Sequence, residues 1–132
     1  MLKSVYGPRF EYVQGDSTTT MPTFAGKLKC DVAFADGYKS FEKRYADMQN
    51  FRKLSKVGAL AFLDEVSGSA CASGSVPEAQ CVFNSSMYDV EHNYAEESRA
   101  YNRLVHEGVI SVDACIETPT PGDGFCLARF LK

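Results

Sequence analysis

The sequence predicts an α/β domain with a mostly parallel sheet, helices on both faces and an antiparallel hairpin at its C-terminal end. Three observations predict it. Residues 31–35 and 57–63 are nearly continuous apolar runs, the pattern of strands buried on both faces of a parallel sheet. A helix-periodic segment separates them, so strand, helix and strand make a right-handed βαβ unit. Two further apolar runs, 109–116 and 125–130, are joined by Pro119-Thr120-Pro121-Gly122-Asp123-Gly124, a connection short enough for a hairpin.

The elements follow in chain order. Residues 10–14, Phe-Glu-Tyr-Val-Gln, alternate and are rich in β-formers, so they predict a first strand closed by Gly15-Asp16. A short helix over 18–25 comes next, with Met21, Phe24 and Ala25 on one side. Asp16 or Ser17 can cap its free amides, and Pro22 sits in the first turns, where proline is tolerated. Ser40 can cap a helix reaching about Lys56, in which Phe41, Tyr45, Met48, Phe51 and Leu54 recur every three or four residues. Residues 68–74 are small and suit a loop. Pro77 can open a helix toward Tyr88, and a further helix over 91–106 is expected to stop at Gly108. No repeat or linker divides the chain, so residues 1–132 form one domain.

Composition narrows the function classes. The 45% hydrophobic and 23% charged fractions are those of a globular protein. A net charge of −3, with Lys and Arg spread along the sequence, argues against nucleic acid as a partner. No apolar run is long enough to cross a bilayer and the N-terminus lacks a signal-peptide core, so the expected location is the cytoplasm. The five cysteines, Cys30, Cys71, Cys81, Cys115 and Cys126, show no zinc-ligand spacing with His92 or His106, and Cys30, Cys115 and Cys126, in or beside apolar strand-like segments, are expected to be reduced and packed as small hydrophobes. Asn84-Ser85-Ser86 fits a glycosylation acceptor, a pattern too short to carry weight outside a secreted context.

The chemistry concentrates where strands end. Ligands of open α/β sheets bind beyond the carboxyl ends of the strands, and there this sequence has Asp16, Asp36, and Asp64 with Glu65. Clustered carboxylates repel unless a cation offsets them, and hard oxygen ligands suit magnesium. The alternative is that each acid caps the helix after its own strand. Lys39, three residues beyond Asp36, would lie near a bound cation, and a nearby positive charge is what turns a lysine into a usable general base. Its alternative is a solvated loop lysine.

The series 10–14, Gly15-Asp16-Ser17, then Cys30-Asp31-Val32-Ala33-Phe34-Ala35-Asp36-Gly37-Tyr38-Lys39, then Gly58-Ala59-Leu60-Ala61-Phe62-Leu63-Asp64-Glu65-Val66 resembles class I S-adenosylmethionine-dependent methyltransferases from the third strand of that fold onward. Within the class it is most similar to the metal-dependent small-molecule O-methyltransferases of the catechol and caffeoyl-coenzyme A type. The resemblance implies a partial Rossmann-like methyltransferase sheet. It implies that Asp36, Asp64 and Glu65 match metal-ligand positions, possible ligands of Mg2+, and that Lys39 matches the catalytic lysine. It also implies that Gly15, Asp16 and Ser17, with Asp36, face the cofactor S-adenosylmethionine. Glu65 stands where the family commonly has Asn. No Gly-rich turn precedes residue 10, so the domain is expected to lack the N-terminal cofactor-binding strands and to bind cofactor weakly or not at all.

Two functions follow from the resemblance. In the first, the domain derives from an enzyme moving a methyl group to a small-molecule hydroxyl, with metal orienting the hydroxyl and Lys39 taking its proton. In the second, it is a non-catalytic methyltransferase-like binding or assembly module. A flavodoxin-like phosphate binder is weaker, because no phosphate loop follows the first strand. The sheet edge left by missing strands predicts a homo-oligomer.

Overall fold

The computed structural model describes residues 2–81, 94–118 and 124–132. The N-terminus forms a short helix, α1 (Leu2–Tyr6), and a 3-10 turn (Gly7–Arg9). Residues 10–14 then run without strand pairing, and Tyr12 is 75% exposed. This corrects the predicted first strand. β-propensity records fit to a half-buried pleated surface, and the backbone here leaves the 3-10 turn with no strand beside it.

Asp16 caps α2 (Ser17–Thr20), which passes into a 3-10 turn (Met21–Phe24) with proline at its start. β1 (Cys30–Ala35), α3 (Phe41–Leu54) and β2 (Ser55–Val66) form the expected βαβ unit. Ser40 is the N-cap of α3, accepting from the Lys43 amide at 3.4 Å. The expected loop over 68–74 contains a one-turn helix, α4 (Ser69–Ala72), entered through Gly68 at φ 83°. Only a 3-10 turn (Glu78–Gln80) of the helix predicted after Pro77 falls within the described residues. α5 (Tyr94–His106), β3 (Ile110–Ile116) and β4 (Gly124–Phe130) complete the chain, and the start of the helix predicted from 91 lies outside the described residues.

The sheet order is β1-β2-β4-β3. β1 and β2 are parallel, whereas β4 runs antiparallel to both β2 and β3. The sheet is therefore mixed rather than mostly parallel, because the hairpin returns β4 into the sheet beside β2 instead of leaving it at the end.

Helices on both faces were expected, and among the described residues they pack on one. Ala33 and Ala35 of β1, Ala61 and Leu63 of β2, and Cys126, Ala128 and Phe130 of β4 are buried in a core with Met48 of α3 and Tyr101 and Leu104 of α5. The alternate positions form the outer face. Phe34 is 58% exposed there, and Val32, Ile116 and Phe125 are also exposed. Phe34 and Phe62 are paired in register, their ring centroids 6.3 Å apart.

The cysteines correct a further expectation. Cys71 is bonded to Cys81, and Cys115 to its cross-strand partner Cys126, leaving Cys30 as the free thiol. Sequence separations of 10 and 11 residues gave no hint of spatial pairing, which here comes from the hairpin register and from α4. Disulfides persist in oxidising compartments, so they weigh against the cytoplasmic expectation. Among the described residues, no helix is long and apolar enough to cross a membrane.

Candidate functional site

The carboxyl ends of β1 and β2 open toward the N-terminus of α3 and one side of α5, and the predicted residues gather there. Asp36 follows β1 directly, and Lys39 lies in the loop before the Ser40 cap. Asp64 and Glu65 immediately precede Val66, the last residue of β2. Glu65 takes a left-handed backbone, φ 58°, uncommon for a residue with a Cβ. It stands at the register shift between β2 and β4 that separates Leu63 from Val66.

That backbone turn delivers the Glu65 carboxylate to two cations. One oxygen pairs with the Lys39 ammonium and the other accepts from Arg44 Nη2 at 3.5 Å. The same Arg44 nitrogen donates to Glu97 of α5 in a close ion pair. Arg44 is 1% exposed and Glu97 is fully buried. The Arg44 guanidinium also lies over the Tyr101 ring, 6.0 Å from its centroid. Burial weakens the Arg44 charge but is outweighed by Tyr101 and Glu97, so its pKa moves up. Burial pushes the Glu97 carboxyl up, with Arg44 opposing.

α5 clamps the end of β2 through polar groups as well. The buried Tyr101 hydroxyl donates to the Asp64 carbonyl at 3.2 Å, and the Ser67 amide donates to Ser98 Oγ at 3.0 Å. The Asp64 carboxyl is raised by burial and by the neighbouring Asp36 charge, with Arg44 and Lys39 opposing.

The second predicted cluster meets this one along α3. Asp16 Oδ1 accepts from the Thr18 amide at 2.8 Å and the Thr18 hydroxyl at 2.6 Å, while Oδ2 accepts from Lys43 Nζ at 2.8 Å. The Lys43 bond, then those from Thr18, hold the Asp16 carboxyl at about 2. Ser17 Oγ donates to Asp47 Oδ1 at 2.7 Å, and Asp47 Oδ2 lies 3.3 Å from where a Cβ on Gly37 would stand. The turn over 15–17 and the loop after β1 therefore converge on Asp47. Gly15, at φ 144°, is required, since a Cβ there would come within 2.6 Å of Thr20 Cγ2.

A magnesium site does not fit this arrangement. Both Glu65 oxygens face cations, and among the described residues no three His, Cys, Asp or Glu side chains are grouped to hold a metal. Asp16 is engaged by a helix cap on one oxygen and a lysine on the other. Sequence reasoning missed Arg44, Glu97 and Tyr101. Arg44 sits on the apolar stripe of α3, three residues from Phe41 and four from Met48, and Glu97 precedes Tyr101 and Leu104 at helical spacing. Opposite charges on two apolar stripes were the available signal. Comparison with protein-family models finds no match. Comparison with curated proteins likewise finds none.

Proposed function

We propose that this chain is a methyltransferase-like scaffold that carries out no chemistry alone and serves as an assembly module, paired with a second copy. The observation that carries this reading is the self-neutralised carboxyl edge. Lys39, Glu65, Arg44 and Glu97 compensate one another, so the lysine matching the family's base and the glutamate matching its metal ligand are engaged together. The parallel βαβ unit followed by a reversed hairpin is what a C-terminal methyltransferase half requires, and it supports the scaffold part of the reading.

The outer sheet face supports the assembly part. Phe34, Phe62, Leu127 and Ala114 are successive register partners, a row crossing all four strands, with Val32, Leu60, Phe125 and Ile116 beside it. Four strands span about 15 Å and six residues about 20 Å, so each face covers about 300 Å² and two stacked faces about 600 Å², the scale of a weak, concentration-dependent contact. Pairing through the sheet edge is less favourable, because β1 is six residues long and its Asp31 carries an exposed ion pair with Lys56 at 2.6 Å. Sedimentation equilibrium tests the assembly: a dimer is expected at high micromolar concentration and a monomer for Phe34→Glu. A wild-type monomer at that concentration overturns it.

A specific observation favours the enzymatic reading as second. Ser17, Asp47 and Gly37 converge beside Asp36, which is where the resemblance puts the cofactor. On that reading Lys39 must leave Glu65 before it can accept a proton from a substrate hydroxyl.

A further inference from the structure

The opposite end of the sheet carries a cluster that the methyltransferase reading does not use. Lys29, from the segment before β1, Arg52 and Lys53 of the last turn of α3, Ser55 and Lys56 at the start of β2, and Lys132 line an open cleft of about 650 Å³. Five of the fourteen Lys and Arg residues thus converge in a chain of net charge −3. The sequence spreads them from position 29 to position 132, which is why they looked unclustered.

Helix electrostatics explains part of this. Cations in the last turn of a helix offset its negative end, and that accounts for Arg52 and Lys53. Lys29, Lys56 and Lys132 belong to other elements. Lys56 has Asp31 as its partner, whereas Lys29, Lys53 and the Lys132 ammonium have no ion-pair partner among the described residues. The Arg52 guanidinium is positioned by its Nε, which donates to the Lys132 carbonyl at 3.0 Å.

Ser55 forms part of the cleft wall and is 6% exposed. A guanidinium and four ammonium groups brought to one concave site from separate elements are a donor set that recognises phosphate oxygens.

We propose that this cleft binds a small molecule bearing two or more phosphate groups. Its volume suits a metabolite-sized ligand. Charge outside the cleft decides between a small anion and a nucleic acid. The nine remaining Lys and Arg are outnumbered by seventeen Asp and Glu, a field that repels a long polyanion and leaves a compact one attracted. The proposal is independent of the methyltransferase reading.

Calorimetry of the full chain with inorganic pyrophosphate tests it, with inorganic sulfate and a single-stranded oligonucleotide as comparisons. Saturable pyrophosphate binding is expected, at least tenfold tighter than sulfate and weakening as salt rises. Lys29→Gln combined with Lys53→Gln should weaken it by roughly a hundredfold, since each charge-assisted contact is worth about tenfold. Lys27→Gln, outside the cleft, should change nothing. Absent pyrophosphate binding, equal binding by the double variant, or tighter binding of the oligonucleotide than of pyrophosphate overturns the proposal.

Discussion

The two ends of the sheet hold similar numbers of charges and arrange them in opposite ways. At the carboxyl edge Lys39, Arg44, Glu65 and Glu97 interlock, and the pair at their centre is buried. At the amino edge Lys29, Arg52, Lys53, Lys56 and Lys132 face a common cleft, with Asp31 as the acid paired to them. The first region uses charge to fasten α3 and α5 onto the end of β2. The second leaves its charge unspent. A strand terminus rich in acids, the ordinary mark of a ligand site in an α/β sheet, is here the closed end, and the open end is the one that fold convention would pass over.

The difference predicts a graded series of responses. The largest belongs to the closed edge: Glu97→Ala leaves the buried Arg44 charge with only its 3.5 Å contact to Glu65 and should cost about 3 kcal/mol in urea unfolding, whereas Arg44→Met with Glu97→Leu should recover most of it. A single-variant loss below about 1 kcal/mol would remove the contrast between the ends. Next is the Cys71–Cys81 disulfide, which ties α4 to the segment leading toward α5. Closing a loop of this size constrains the unfolded chain, and Cys71→Ser with Cys81→Ser should cost roughly 2–3 kcal/mol. Thiol titration of the denatured, unreduced chain should count one free cysteine, Cys30.

A smaller effect is pH-dependent. The folded Asp16 carboxyl, at about 2, lies below its ordinary value of 3.8. The stability it contributes is complete above pH 3.8 and is lost as pH falls toward 2. Asp16→Asn should therefore lower the melting temperature at neutral pH and flatten the acid limb of the stability curve over that interval. Smallest of all is Lys53→Gln in the open cleft. It removes an exposed charge with no ion-pair partner among the described residues, and should change unfolding stability by no more than about 0.5 kcal/mol.

Local signals in the sequence carried the central unit well. The apolar runs at 31–35 and 57–63 and the Ser40 cap appear as β1, β2 and the start of α3, because burial period and capping chemistry act within a few residues. The hairpin partners were legible for the same reason, but the insertion of β4 beside β2 was not, since strand order is set by long-range packing. Residues 10–14 misled because β-propensity cannot say whether a neighbouring strand exists. At the site, Asp36 and Asp64 were found from strand ends. Lys39 was named from its place after Asp36, but its pairing with Glu65 was not, because that contact depends on the glutamate's left-handed backbone, and Arg44 was missed because it sits on a helix stripe.

The central claim is that the carboxyl edge is closed to cofactor and metal. Calorimetry of the purified chain with S-adenosylhomocysteine, with and without magnesium, tests it most directly. The account predicts no saturable heat up to millimolar ligand, because Glu65 is held by Lys39 and Arg44 and, among the described residues, no group of three metal-ligating side chains is assembled. Saturable binding at low micromolar concentration, strengthened by magnesium, would contradict the account and restore Asp36, Asp64, Glu65 and Lys39 to a catalytic site.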